Sequence, residues 1–134
     1  LATAALYHDA SEILTGDLPT PIKYHNAEIM SAYHAVEDLA VQKLLGMLPP
    51  ELRETYADVL AEDKDGDIYP LVKAADKLSA YIKCIEELKA GNNEFRQAAA
   101  RGAEASPLPE VAYFLEHFIP AFERDLDELG AIGQ

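Results

Sequence analysis

A chain of 134 residues with 49% apolar and 26% charged residues is the size of one ordinary domain, which excludes a multidomain machine. With 11 basic against 24 acidic side chains the formal net charge is −13, a field that repels nucleic-acid polymers and anionic membrane surfaces. The single Cys84 cannot form an internal bridge, and no apolar run approaches the roughly 20 residues of a membrane span, so the expected setting is the reducing cytoplasm.

Helical periodicity dominates and no stretch sustains apolar-polar alternation, which predicts an all-α fold. The chain opens inside an amphipathic pattern, Leu1-Ala2-Thr3-Ala4-Ala5-Leu6, with no N-cap signal before it, and an upstream segment is expected there. This first helix should stop near Thr15-Gly16, and Asp17-Leu18-Pro19-Thr20-Pro21 then forms a short, stiff loop. A long helix is predicted from about Lys23 to Met47 on Ile29, Tyr33, Val36, Ala40 and Leu44. Pro49-Pro50 ends it, and Pro50 suits the first turn of the next helix, through about Leu60. Glu62 to Asp67 reads as a polar connection. Pro70 begins another helix, striped by Leu71, Ala75, Leu78, Ile82 and Ile85, until Gly91, after which Asn92 or Asn93 caps a shorter helix over 94–101. Residues 102–107 read as a loop. The final helix, roughly 109–129, carries Val111, Phe114, Leu115, Phe118, Phe122 and Leu126, with a kink at Pro120.

The sharpest local feature is Tyr7-His8-Asp9-Ala10-Ser11-Glu12. At 100° per residue His8, Glu12 and Asp9 sit at about 0°, 40° and 100°, so one helix face holds an imidazole and two carboxylates. Ala2, Leu6 and Ile13 fall at about 120° to 160°, which sets Asp9 at the margin of the apolar stripe. A carboxylate there is costly to bury unless a cation meets it, and imidazole with carboxylate suits Mn, Fe, Co or Zn. An ordinary solvated i,i+4 cluster is the alternative. In Gly16-Asp17-Leu18-Pro19-Thr20-Pro21 a carboxylate and a hydroxyl stand on a loop stiffened by two prolines, either at a substrate mouth or as a helix terminus with a local Asp17 turn bond.

Other features point to no chemistry. Asp63-Lys64-Asp65-Gly66-Asp67 imitates a calcium loop, but its glycine is the fourth residue rather than the sixth, and Ala74 stands where the closing Glu belongs. His117 lies among Phe114, Phe118 and Phe122 as a packed helix residue, and His25 and His34 have no paired ligand nearby in sequence. Cys84 is expected in the core.

The joined string from Tyr7 to Tyr24 resembles the signature of the HD-domain phosphohydrolases, and within them the bacterial 5′-deoxynucleotidases of the YfbR type. Leu71-Val72-Lys73-Ala74-Ala75-Asp76-Lys77-Leu78-Ser79-Ala80-Tyr81 and Cys84 to Phe95 support the likeness. The resemblance implies a single HD-type helical bundle of about five to six helices over residues 1–134. It also implies a divalent metal of the Co, Mn, Fe or Zn class, with the His-Asp pair on His8 and Asp9 and a distant ligand on Asp76. A first His, an Arg and an aromatic of the family pattern are expected in a segment before Leu1. The reaction implied is release of phosphate from 5′-deoxynucleoside monophosphates by a homodimer. Glu12, one turn from His8, is the candidate to orient or deprotonate a water; Asp17 is the candidate to bond the sugar hydroxyl, with Leu18, Pro19 and Thr20 shaping the pocket. Periodicity alone makes Asp76 a surface aspartate among Lys73, Lys77 and Lys83. Two rivals stand beside this reading: an HD-type hydrolase of another small phosphorylated metabolite, and a metal-free helical interaction module.

Overall fold

The computed structural model describes residues 1–61, 63–102, 106–125 and 127–128, apart from the side chain of Thr20. Among them the structure is all-α. The helices in chain order are α1 (Ala2–Tyr7), α2 (Glu12–Thr15), α3 (Thr20–Lys23), α4 (Ala27–Met47), α5 (Pro50–Leu60), α6 (Tyr69–Lys89), α7 (Arg96–Gly102), α8 (Pro109–His117) and α9 (Ile119–Glu123), with a 3₁₀ turn at Asn93–Phe95 before α7. No described helix is long and apolar enough to cross a membrane.

The chain forms two compact units, residues 1–72 and 73–134. In the first, α4 packs against α2, α3 and α5, and α1 packs against α5. Tyr7 meets Tyr56 edge to face at 5.9 Å across the α1–α5 contact. Ala40, Leu45 and Val72 are its buried apolar residues. In the second unit Cys84, Ile85, Val111 and Ile119 are buried, the thiol behaving as a small apolar side chain. Lys89 on α6 donates from Nζ to the carbonyl oxygens of Phe122 (3.2 Å) and Arg124 (2.5 Å), satisfying acceptors that the end of α9 leaves open.

Helix boundaries depart from the periodic reading in three places, each with a local cause. The first helix is interrupted: Ala10 N–H bonds to Tyr7 O, and Glu12 N–H to Asp9 O, i→i+3 bonds that tighten residues 8–11 into turns between α1 and α2. Leu6 and Ile13, placed on a buried stripe by the helical wheel, are each 77% exposed. The long helix starts afresh at Asn26, whose Oδ1 accepts from Ile29 N–H at 2.8 Å as an N-cap, and residues 20–23 form a separate turn. The last helix breaks at Phe118 (φ −109°), and Pro120, which has no N–H to offer Glu116, sits in the first turn of α9. Leu126 and residues 103–105 of the expected loop lie outside the described residues.

Candidate active site

His8 follows the last residue of α1, and its ring is held from behind: Nδ1 donates to the carbonyl oxygen of Ala5 at 2.7 Å. The other nitrogen, Nε2, lies 3.1 Å from Oδ2 of Asp9. A carbonyl can only accept, so Nδ1 carries a proton. Nε2 then meets the carboxylate either as the second N–H of an imidazolium or as a lone pair beside a cation that both groups share. Anchoring of one ring nitrogen on a backbone carbonyl is one way metal-binding histidines are oriented. The donor types therefore fit a divalent ion of the Mn, Fe, Co or Zn class. Among the described residues no group of three or more His, Cys, Asp or Glu side chains has the geometry to hold a metal ion.

A cavity of about 390 Å³ opens beside His8 within the first unit. Its wall includes Ala4 of α1, Asp58 and Val59 of α5, Asp63 and Asp67 of the following connection, and Val72. In sequence that connection shows only as a polar stretch whose carboxylates imitate, without matching, a calcium loop. Acidic walls of this kind disfavour an unaccompanied anion and favour one carried with positive charge.

Glu12 is the first residue of α2 and half-buried. Burial pushes its carboxyl above the ordinary value, the nearby Asp9 and Asp17 charges push the same way, and Lys23 opposes them while Glu37 adds to the rise. The tightened turn changes its relation to His8. At about 120° per residue rather than 100°, the two side chains diverge more than an α-helical wheel implies.

The loop after α2 is closed off backbone-first. Gly16 N–H bonds to Glu12 O at 2.9 Å, and Gly16 itself takes φ +71°, ψ +162°. Asp17 and Pro19 are exposed and Leu18 half-buried. The carbonyl of Pro19 accepts from Ile22 and Lys23 N–H, and Thr20 opens α3. Gly16 O accepts from the Thr15 hydroxyl at 2.9 Å and from the Tyr33 hydroxyl at 3.1 Å. Lys23 Nζ stands 4.5 Å from the centroid of the Tyr33 ring and donates to Glu37 Oε1 at 2.9 Å, while His34 Nδ1 donates to Glu37 Oε2 at 2.8 Å. Burial alone would raise the Glu37 carboxyl, but hydrogen bonds from Lys23 and His34, with their positive charge, hold it below the ordinary value. Lys23, Tyr33 and Glu37 were missed as site residues. Their separations along the chain carry no motif, and His34 was read as having no partner nearby.

Asp76 is an exposed residue of α6 in the second unit. Of the lysines near it in sequence, Lys83 bonds Glu87 at 2.8 Å one turn on.

Comparison with known proteins bears on all of this. A family model described as 5′-deoxynucleotidase YfbR-like matches residues 1–122. A protein of Shigella flexneri serotype 5b (strain 8401) named 5′-deoxynucleotidase YfbR is 52% identical over 133 residues, an alignment that takes in 96% of this chain and 67% of the relative. One of the same name from Escherichia coli (strain K12 / DH10B) is 51% identical over 133 residues with the same coverage. The chain thus spans about two thirds of the length of these relatives, and its matched region includes His8, Asp9, Glu12, the 16–20 loop and Asp76. Likeness of this depth and extent admits one conclusion: the chain belongs to the YfbR-like 5′-deoxynucleotidase family of hydrolases.

Proposed function

We propose that the protein is a metal-dependent phosphomonoesterase that releases phosphate from 2′-deoxynucleoside 5′-monophosphates. The observation that carries the reading is the His8–Asp9 pair, one nitrogen anchored on Ala5 O and the other 3.1 Å from the carboxylate, in a chain whose relatives are named 5′-deoxynucleotidase. His8 and Asp9 would offer an imidazole and a carboxylate to a divalent ion, and the family resemblance implies Asp76 as a further ligand. That ion, when bound, neutralises phosphate charge and makes a water acidic enough to supply a nucleophile near neutral pH.

The remaining work falls to side chains. Glu12 takes the proton of the attacking water, and burial beside two other carboxylates suits it to that task by raising its affinity for a proton. Water oxygen bonds to phosphorus as the phosphorus–oxygen ester bond breaks, and the deoxynucleoside leaves as an alcohol, its oxygen receiving the proton that Glu12 took from the water. Asp17 accepts a hydrogen bond from the sugar hydroxyl, and Leu18, Pro19 and Thr20 shape the surrounding pocket. With a net charge of −13 the protein acts on the small nucleotide rather than on nucleic-acid polymers or membrane surfaces. We place it in the cytoplasm as a homodimer, as the resemblance implies.

The test is release of inorganic phosphate from 2′-deoxyadenosine 5′-monophosphate with Mn²⁺ or Co²⁺ present. Turnover that a chelator abolishes and added divalent ion restores is the expected result. Absence of turnover with every divalent ion of this class overturns the reading.

A further inference from the structure

The 16–20 loop is tied to α4 at both ends. At its start, Gly16 O accepts the Tyr33 hydroxyl at 3.1 Å; beyond its end, Lys23 closes α3 with its ammonium 4.5 Å from the Tyr33 ring centroid and 2.9 Å from Glu37 Oε1. One aromatic side chain therefore touches both anchors of the segment that carries Asp17. Gly16 has a backbone conformation that glycine adopts freely, so its orientation is set by the bonds its peptide makes, one from the adjacent Thr15 hydroxyl at 2.9 Å and one from Tyr33 on a separate helix. We propose that Tyr33 is a positioning residue for Asp17: its hydroxyl fixes the peptide immediately before Asp17 and so sets the direction from which that carboxylate meets the sugar of the nucleotide.

The inference rests on the reading of Asp17 as the sugar contact, and the two are separable. A 2′-deoxynucleoside 5′-monophosphate has one free sugar hydroxyl, at the 3′ position, and the 2′,3′-dideoxy analogue has none. The ratio of kcat/KM for the two substrates therefore isolates the Asp17 contact from general damage, which lowers both values together. Tyr33→Phe removes the hydroxyl and keeps the ring under Lys23. It is expected to reduce the deoxy over dideoxy preference by about threefold or more, the range of one hydrogen bond. The loss should appear in KM for the deoxy substrate, with kcat changed by less than about twofold. Asp17→Ala should remove the preference altogether. If Asp17→Ala removes it while Tyr33→Phe retains the parental ratio, or if Tyr33→Phe weakens both substrates equally, Tyr33 does not position Asp17. If Asp17→Ala leaves the preference intact, the sugar-contact reading falls and the role of Tyr33 falls with it.

Discussion

Nε2 of His8 and Oδ2 of Asp9 stand 3.1 Å apart although consecutive residues of a regular helix diverge by about 100°. The convergence depends on the end of α1, where the Ala5 carbonyl holds the far side of the imidazole. Two groups of such affinity for positive charge, fixed face to face, are the basis of the functional account.

Glu12→Gln keeps the shape of the side chain and removes its basicity. In the metal-loaded protein kcat should fall by about 100-fold or more, with metal content unchanged, as measured by phosphate release beside elemental analysis. The pH profile gives a second check. A general base acts only when ionised, so activity fails as pH falls through its pKa, and burial with the Asp9 and Asp17 charges places that limb above the ordinary value of 4.5. Glu12→Gln should abolish this acid limb. A variant with the parental limb assigns it to another group.

The Lys23–Glu37 pair stabilises the fold within a definable pH window. Glu37 binds its proton less readily in the folded protein, so its contribution is present above the ordinary 4.5 and is lost as pH falls through the lowered folded value. Burial would lower the Lys23 ammonium, but the Glu37 hydrogen bond and charge, with Tyr33 and Tyr24, raise it above the ordinary 10.5. Its contribution is present below 10.5 and is lost as pH rises through that raised value. Glu37→Gln should destabilise the protein by about 1 kcal/mol at pH 7 in urea unfolding, and the difference should shrink below the carboxylate range. An equal difference at pH 3 and pH 7 contradicts this.

Alanine at two glycines should act with opposite signs. Gly16 has φ +71° with open space around its Cβ position, so Gly16→Ala is strained by backbone alone and should cost about 1 to 3 kcal/mol. Gly46 lies inside α4, also with open space, and Gly46→Ala should stabilise by about 0.5 to 1 kcal/mol. Thermal midpoints that move in the same direction for both variants would show that the Gly16 turn is not held as described.

The parts of this architecture legible in sequence were those marked by single residues with one physical meaning. Pro50 opens α5, and Gly91, with φ +87°, follows the helix that begins beside Pro70. His8, Asp9 and Glu12 were legible by type. Their mutual arrangement was not, because the turn at 8–11 that sets it contains neither Gly nor Pro to mark its i→i+3 bonds. Asn26 was legible in principle: Asn followed by Ala27 and Glu28 before an apolar run is a helix start, but continuous amphipathicity masked it. Tyr33 and Gly16 are 17 residues apart, and Lys23 and Glu37 are 14 apart, so only the folded α3–α4 contact could join them.

Metal binding at His8 and Asp9 is tested most directly by calorimetric titration of the metal-free protein with Mn²⁺ or Co²⁺, run in parallel on His8→Ala and Asp9→Asn. One saturable site per chain is expected in the parent, with affinity lowered by about 100-fold or more in each variant. Parental binding that both variants retain, or a parent that binds neither ion, contradicts this.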